Sequence, residues 1–178
     1  MALNMSAEQM WIAGEWCDAE DGATADILNP ATGEVMATTP KATLSDVERC
    51  VAASRTALND VSWKAMDPAQ RGRILNKMAQ ATYANAKALA AIESNNNGKT
   101  FREALSEIRY GAWTLEYFAG LSDKIEGTTI PVPGNRLNYT LRQPLGVTAH
   151  IVPWNFPLQL ALRSIAPALA SGLSLIHI

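Results

Sequence analysis

The chain of 178 residues fits one domain, or one and part of another, with a buried core, and 48% hydrophobic content is ordinary for a soluble globular protein, not a disordered one. With 15 basic against 17 acidic residues, a formal net charge of -2 and no basic stripe interleaved with aromatics, it offers nucleic acid no footing. Residues 1–10 lack the layout of a signal peptide and no apolar run approaches bilayer-spanning length; two cysteines, Cys17 and Cys50, are too few for a disulfide framework, so the expectation is a cytoplasmic protein without a membrane partner.

In chain order, residues 11–16 alternate around Gly14 as a tight hairpin does, and Asn29-Pro30-Ala31-Thr32-Gly33-Glu34 reads as a turn between strands at 25–28 and 35–38. From Thr43, an N-cap with Asp46 three residues on, the period becomes helical, with Val47, Val51, Ser54 and Leu58 as the expected buried stripe. Asp67-Pro68 opens a second helix that turns Ile74, Leu75 and Met78 inward and bends near residues 83–85. Asn95-Asn96-Asn97-Gly98 stops it, because asparagine and glycine tolerate the left-handed conformation that ends helices. A third helix, about 101–123, carries Leu105, Ile108, Ala112, Leu115 and Ala119 on one face and Tyr110, Trp113 and Tyr117 on another, which predicts a helix deep in the fold. Strand pattern returns at 128–132 and 137–142 around Pro131, Pro133 and Gly134; residues 146–152 read as a buried strand and 158–170 as a helix.

Strand, short loop and helix form the first step of a doubly wound sheet, whose ligands bind at the carboxyl ends of the strands, so Pro153-Trp154-Asn155 is placed to touch a nucleotide and a reacting group. By pattern alone a proline-stiffened loop with a packed tryptophan is an equal account, since no glycine-rich fingerprint is present. Cys17 and Cys50 read as buried small apolar groups, neither being beside a base nor at a helix N-terminus. His150, without a candidate partner, reads as structural.

Residues 145–147 with His150-Ile151-Val152-Pro153-Trp154-Asn155-Phe156-Pro157, followed by Ala166-Pro167-Ala168-Leu169-Ala170 and Gly172, resemble the segment around the asparagine of the aldehyde dehydrogenase superfamily. The turn at 29–34, Gln70-Arg71 with Leu75, and Asn97-Gly98-Lys99 with Glu103-Ala104 resemble its earlier motifs in the same order and spacing across residues 11–172. The resemblance implies an α/β fold: helices, a small antiparallel element and an oligomerisation hairpin leading into the first strand-loop-helix of a Rossmann-like parallel sheet, truncated. It also implies an enzyme that oxidises an aldehyde to a carboxylic acid with NAD(P), NAD favoured, through a cysteine thiohemiacetal, as betaine-aldehyde, aminoaldehyde and aromatic-aldehyde members do. On that likeness the Asn155 amide stabilises the oxyanion formed when a thiolate attacks the carbonyl. Ile151, Val152, Pro153, Trp154 and Asn155 line the cofactor cleft, while Phe156, Leu160 and Arg163 wall the aldehyde tunnel. Arg163 suits a polar or carboxylate-bearing substrate, unless it is simply a solvated helix arginine. Family members hold a monovalent cation near the equivalents of Ile27, Leu28 and Asn96, where Asn96 replaces the usual carboxylate; no other metal is expected.

The implied organisation is residues 1–127 as the hairpin and helical part, 128–144 as the arm of a homodimer or homotetramer, 145–172 as the first strand-loop-helix, and 173–178 as a tail. The family's catalytic cysteine, its glutamate, the ribose-binding lysine and the glycine-rich turn lie downstream of the matched region, so this chain alone is expected to be inactive. Leu173-Ser174-Leu175-Ile176-His177-Ile178 is what a transposon end used to tag sequencing libraries encodes, and is read as non-native. A short natural strand with an apolar tail is the alternative, and with it a natural short protein that docks on full-length subunits.

Overall fold

The computed structural model describes residues 9–178; the expectation about a signal peptide falls mostly on residues 1–8, outside the described residues. Strands β1 (Met10–Ile12) and β2 (Glu15–Cys17) pair antiparallel with Trp11 opposite Trp16, whose rings meet edge-on at 4.7 Å. Ala13 (φ 56°) and Gly14 (φ 86°) are both left-handed, as a two-residue hairpin turn that matches strand twist requires. Strands β3 (Thr24–Leu28) and β4 (Val35–Pro40) form a second hairpin, bulged at Ile27 and Leu28. Its turn is closed by Asn29, whose backbone N–H donates to Glu34 O (2.8 Å) and whose side-chain oxygen accepts from the Ala31 N–H (2.9 Å).

Helix α1 (Leu44–Asn59) starts where expected, with a reciprocal capping box between Thr43 and Asp46. Its buried stripe is Asp46, Cys50 and Ser54, so the expectation for Val47 fails: that side chain is exposed. The stripe is rotated because α1 packs on Met10, Ile12 and Ala19 through Cys50, and the Ser54 hydroxyl donates to Leu175 O at 2.6 Å. Cys17, half-buried, packs into the same cluster, so the fold gathers two cysteines that are distant in sequence.

A short helix α2 (Val61–Lys64), absent from the sequence reading, precedes α3 (Pro68–Ala84), which begins with Asp67 as cap and proline in its first turn. The expected bend near 83–85 is a full break: Asn85 caps α3, its N–H and side-chain amide both donating to Ala81 O, before α4 (Ala86–Asn97) resumes. In α3, Leu75 is buried as expected and Met78 partly so, whereas Ile74 is exposed; Gly72, Leu75 and Ala79 form the inward stripe. Gly98, at φ 81°, ends α4 in the left-handed conformation, and Thr100 with Glu103 forms a second capping box at the start of α5 (Phe101–Leu121).

The main core lies where α3 and α5 meet α6 (Pro157–Ala170), around Leu75, Ala79, Leu115, Ala119, Leu162 and Ala166. Small residues let these helices approach closely. A Cβ at Gly72 would stand 2.6 Å from Ala119 O, and one at Gly111 would stand 2.9 Å from Leu162 Cδ1. Only one face of α5 is buried; Tyr110, Trp113 and Tyr117 are half-exposed, contrary to the expectation of a deeply buried helix. Helices α3, α4 and α6 all pack on the other face, and the three rings cover one another at 5.4 and 6.0 Å instead.

Strands β5 (Thr129–Ile130) and β6 (Asn138–Tyr139) form an exposed antiparallel ribbon. The strand expected at 146–152 is reduced to β7 (Val147–Thr148), half-buried, because a strand persists only where it is paired. Its partner is β8 (Ser174–Leu175), which runs parallel to it, with Val147 opposite Ser174 and Thr148 opposite Leu175. With α6 between them, β7 and β8 complete one β-α-β unit, the building block of a doubly wound sheet. Arg71 ties its far end to α3, donating to Ala170 O (3.2 Å) and Met66 O (2.9 Å), and the Trp63 indole donates to Gly172 O (3.2 Å). No helix among the described residues is long and apolar enough to cross a membrane.

Candidate functional site

The loop at residues 151–156 leaves the carboxyl end of β7 and enters α6, the position at which open α/β sheets bind ligands. Three of its side chains are open to solvent: Ile151 is 100% and Trp154 72% exposed, and Asn155 is exposed as well, while Val152 is half-buried. The packed-tryptophan alternative is thereby removed. Pro157 stands in the first turn of α6 and no side chain caps that end, so its leading backbone N–H groups remain available to an acceptor. Ile151, Val152, Pro153 and Trp154, the residues expected to line a cofactor cleft, stand together on this loop beside the start of α6.

Phe156, Leu160 and Arg163, spaced four and three residues apart, fall on one face of α6. Phe156 is partly exposed, Leu160 half-buried and Arg163 exposed. His150 is exposed, with Nε2 3.1 Å from Thr148 Oγ1, so it has the partner that the sequence did not show. Ile27 and Leu28 lie at the β3 bulge and Asn96 in the last turn of α4; the turn after β3 meets the end of α4 where Pro30 faces Gly98.

What fastens the loop was missed in the sequence. The Asn97 side-chain amide donates to Trp154 O (2.8 Å), and the Lys99 ammonium donates to Asn155 O (2.7 Å) while sitting 4.6 Å from the centre of the Phe156 ring. Lys99 also pairs with Glu93 Oε1 (2.9 Å) and with Glu107, from α4 and α5. All three charged side chains are largely buried, and Glu93 Oε2 has no hydrogen-bond partner. Burial pushes the Glu93 carboxyl up; burial opposes the charge of Lys99 too, but the two carboxylates outweigh it and hold the ammonium above the usual lysine range. One signal for this cluster was legible: Glu93 and Glu107 interrupt the apolar stripes around Ala90 and Ile108, and a carboxylate on such a stripe calls for a cation.

Neither cysteine belongs to the loop. Cys50 is 1% exposed in the α1 cluster, where burial pushes its thiol up and away from the thiolate form. A cavity of about 700 Å³ is lined by residues of β1, α1 and α2 and of the chain after α6, including Trp11, Cys50, Trp63 and His177, and by none from 151–163.

Residues 16–177 match the aldehyde dehydrogenase family. The chain is 44% identical over 163 residues to hydroxyisobutyraldehyde dehydrogenase of Mycolicibacterium austroafricanum, covering 92% of this chain and 32% of that protein. It is 40% identical to retinal dehydrogenase 2 of Mus musculus, covering 96% of this chain and 33% of that one. Among solved structures it superposes with a TM-score of 0.91 on a betaine aldehyde dehydrogenase variant from Staphylococcus aureus in complex with NAD+, at 35% identity over 95% of this chain and 34% of that one. An NAD-dependent aldehyde dehydrogenase from Sinorhizobium meliloti gives 0.92 at 37% identity, over 97% of this chain and 35% of that one. The chain thus spans about a third of the length of the relatives it matches, and on the family match together with these identities it belongs to the aldehyde dehydrogenase family.

Proposed function

We propose that the loop at 151–156 is one wall of the active site of an enzyme that oxidises an aldehyde to a carboxylic acid with NAD, or with NADP, and that the Asn155 side-chain amide stabilises the oxyanion. The observation that carries this is the loop's anchoring: its carbonyls at Trp154 and Asn155 are tied back to Asn97 and Lys99, so the backbone is fixed while the Asn155 side chain stays exposed. A donor held in place before charge develops is what oxyanion stabilisation needs, and an amide donates without titrating. A nicotinamide cofactor held there would supply the hydride acceptor. Ile151, Val152, Pro153 and Trp154 provide it an apolar surface, and Phe156, Leu160 and Arg163 line the approach of the aldehyde.

The nucleophilic thiol is assigned to sequence beyond these residues, because Cys50 is buried in another cluster and Cys17 packs with it. The chain by itself is therefore inactive on this reading. The test is to sequence the source DNA past codon 172, express the protein it encodes, and follow NADH formation with a panel of aldehydes. Asn155→Ala should lower kcat by about 100- to 1,000-fold with little change in KM. An unchanged kcat removes Asn155 from the chemistry.

A second reading concerns assembly. Tyr139 on β6 and Leu137 and Leu141 just beyond its ends are exposed, and the edges of the two-stranded β5–β6 ribbon are open to a further strand. This supports the ribbon as the arm of a homodimer or homotetramer, or as the element by which a short form docks on full-length subunits. A stop codon directly after Ile178 would favour the docking form.

A further inference from the structure

Glu93, Lys99 and Glu107 form a buried triad beside the loop. A buried ion pair is a weak source of stability, since desolvation offsets most of the attraction, and this one is also unbalanced, with two carboxylates for one ammonium and one carboxylate oxygen unpartnered. The remaining polar contact of Lys99 points out of the triad to Asn155 O at 2.7 Å, and its charge lies against the Phe156 ring at 4.6 Å. A single cation thus grips the backbone of the residue that carries the amide and the face of the next residue.

We infer that Lys99 is a positioning residue: held by Glu93 and Glu107, its ammonium fixes the peptide between Asn155 and Phe156 and so sets the direction in which the Asn155 amide points. The inference deepens the reading of Asn155 as oxyanion donor and rests on it for its functional meaning. Three segments converge to make it: α4 supplies Glu93, α5 supplies Glu107, and the left-handed Gly98 turns the chain so that Lys99 faces both. The two glutamates aim the lysine, which could otherwise swing freely on its four-carbon stem. Asn97, from the same turn, holds Trp154 O and gives the loop a second point of attachment.

The experiment uses nuclear magnetic resonance on the 178-residue chain, and reads no activity. Lys99→Met alone leaves two buried carboxylates facing each other and threatens the fold, so it is paired with the triple variant Glu93→Gln, Lys99→Met, Glu107→Gln, which removes all three charges together. In the triple variant, order parameters of residues 154–156 should fall from about 0.85 to below about 0.6 while those of α3 and α5 hold. The Asn155 side-chain amide signals should move toward those of a mobile asparagine. Unchanged Asn155 signals and loop order would overturn the inference, as would a loosening spread equally over loop and helices, which marks a purely structural ion cluster. Failure of the catalytic reading is seen separately, in the kcat of Asn155→Ala.

Discussion

Asp46 is fully buried and carries more hydrogen bonds than its role as a cap requires. It accepts from the Thr43 N–H (2.8 Å), the Thr43 hydroxyl (2.9 Å), the Glu20 N–H (3.3 Å) and Arg49 (2.5 Å). The Thr43 backbone bond, against the opposing cost of burial, holds its carboxyl well below its ordinary value of 3.8. A carboxylate with a depressed folded pKa contributes stability above its unfolded pKa and loses it as pH falls through the folded value. Asp46→Asn should therefore be less stable than the parent at neutral pH, the gap closing as pH falls below about 4; urea unfolding at stepped pH measures it. Glu93 has the opposite sign. Its folded pKa is raised, so its contribution weakens as pH rises from the unfolded carboxylate pKa through the folded one. Gly98→Ala should cost about 1–2 kcal/mol for the left-handed backbone, with Pro30 Cγ at 3.0 Å from the new Cβ adding to it, and calorimetry of the two proteins decides. Gly98 was legible as a single residue. Lys99 was not, because its partners come from two helices and a loop.

At the scale of elements, the capping signals at Thr43, Asp67 and Thr100 are local, and the helices begin where those residues stand. Burial is not local. The stripe of α1 is rotated away from Val47, and the aromatic face of α5 stays open, because what a helix buries depends on which neighbours reach it. Helix approach gives a sharp test. Gly72→Ala places a Cβ 2.6 Å from the Ala119 carbonyl oxygen, so α3 and α5 must separate. A loss of about 1–3 kcal/mol is expected by chemical denaturation, although alanine favours an isolated helix; a gain in stability would mean the helices slide without cost. Leu75→Ala, at 0% exposure in the same interface, should cost about 2–5 kcal/mol.

For the whole molecule, the proposal that the open β5–β6 ribbon serves assembly has its own test. Leu137→Lys with Leu141→Lys places charge at both ends of the exposed β6, a change that blunts edge pairing without touching the cores around Leu75 or Cys50. Light scattering should then report a smaller assembly than the parent, with unchanged helix content; an identical mass would remove the ribbon from the interface.

The amino-acid sequence by itself determined the first two hairpins, the starts of α1, α3 and α5 and the glycine stop after α4, since each rests on residues within a few places of one another, and it carried the family likeness in the order of its motifs along the chain. The tertiary structure alone decided how far β7 extends, which faces of α1 and α5 are buried, and that Cys17 joins Cys50. It also joined Lys99 to Asn155 across 56 residues of chain. Those are contacts between elements, and their energies depend on distance and desolvation in the packed molecule, which local periodicity does not encode.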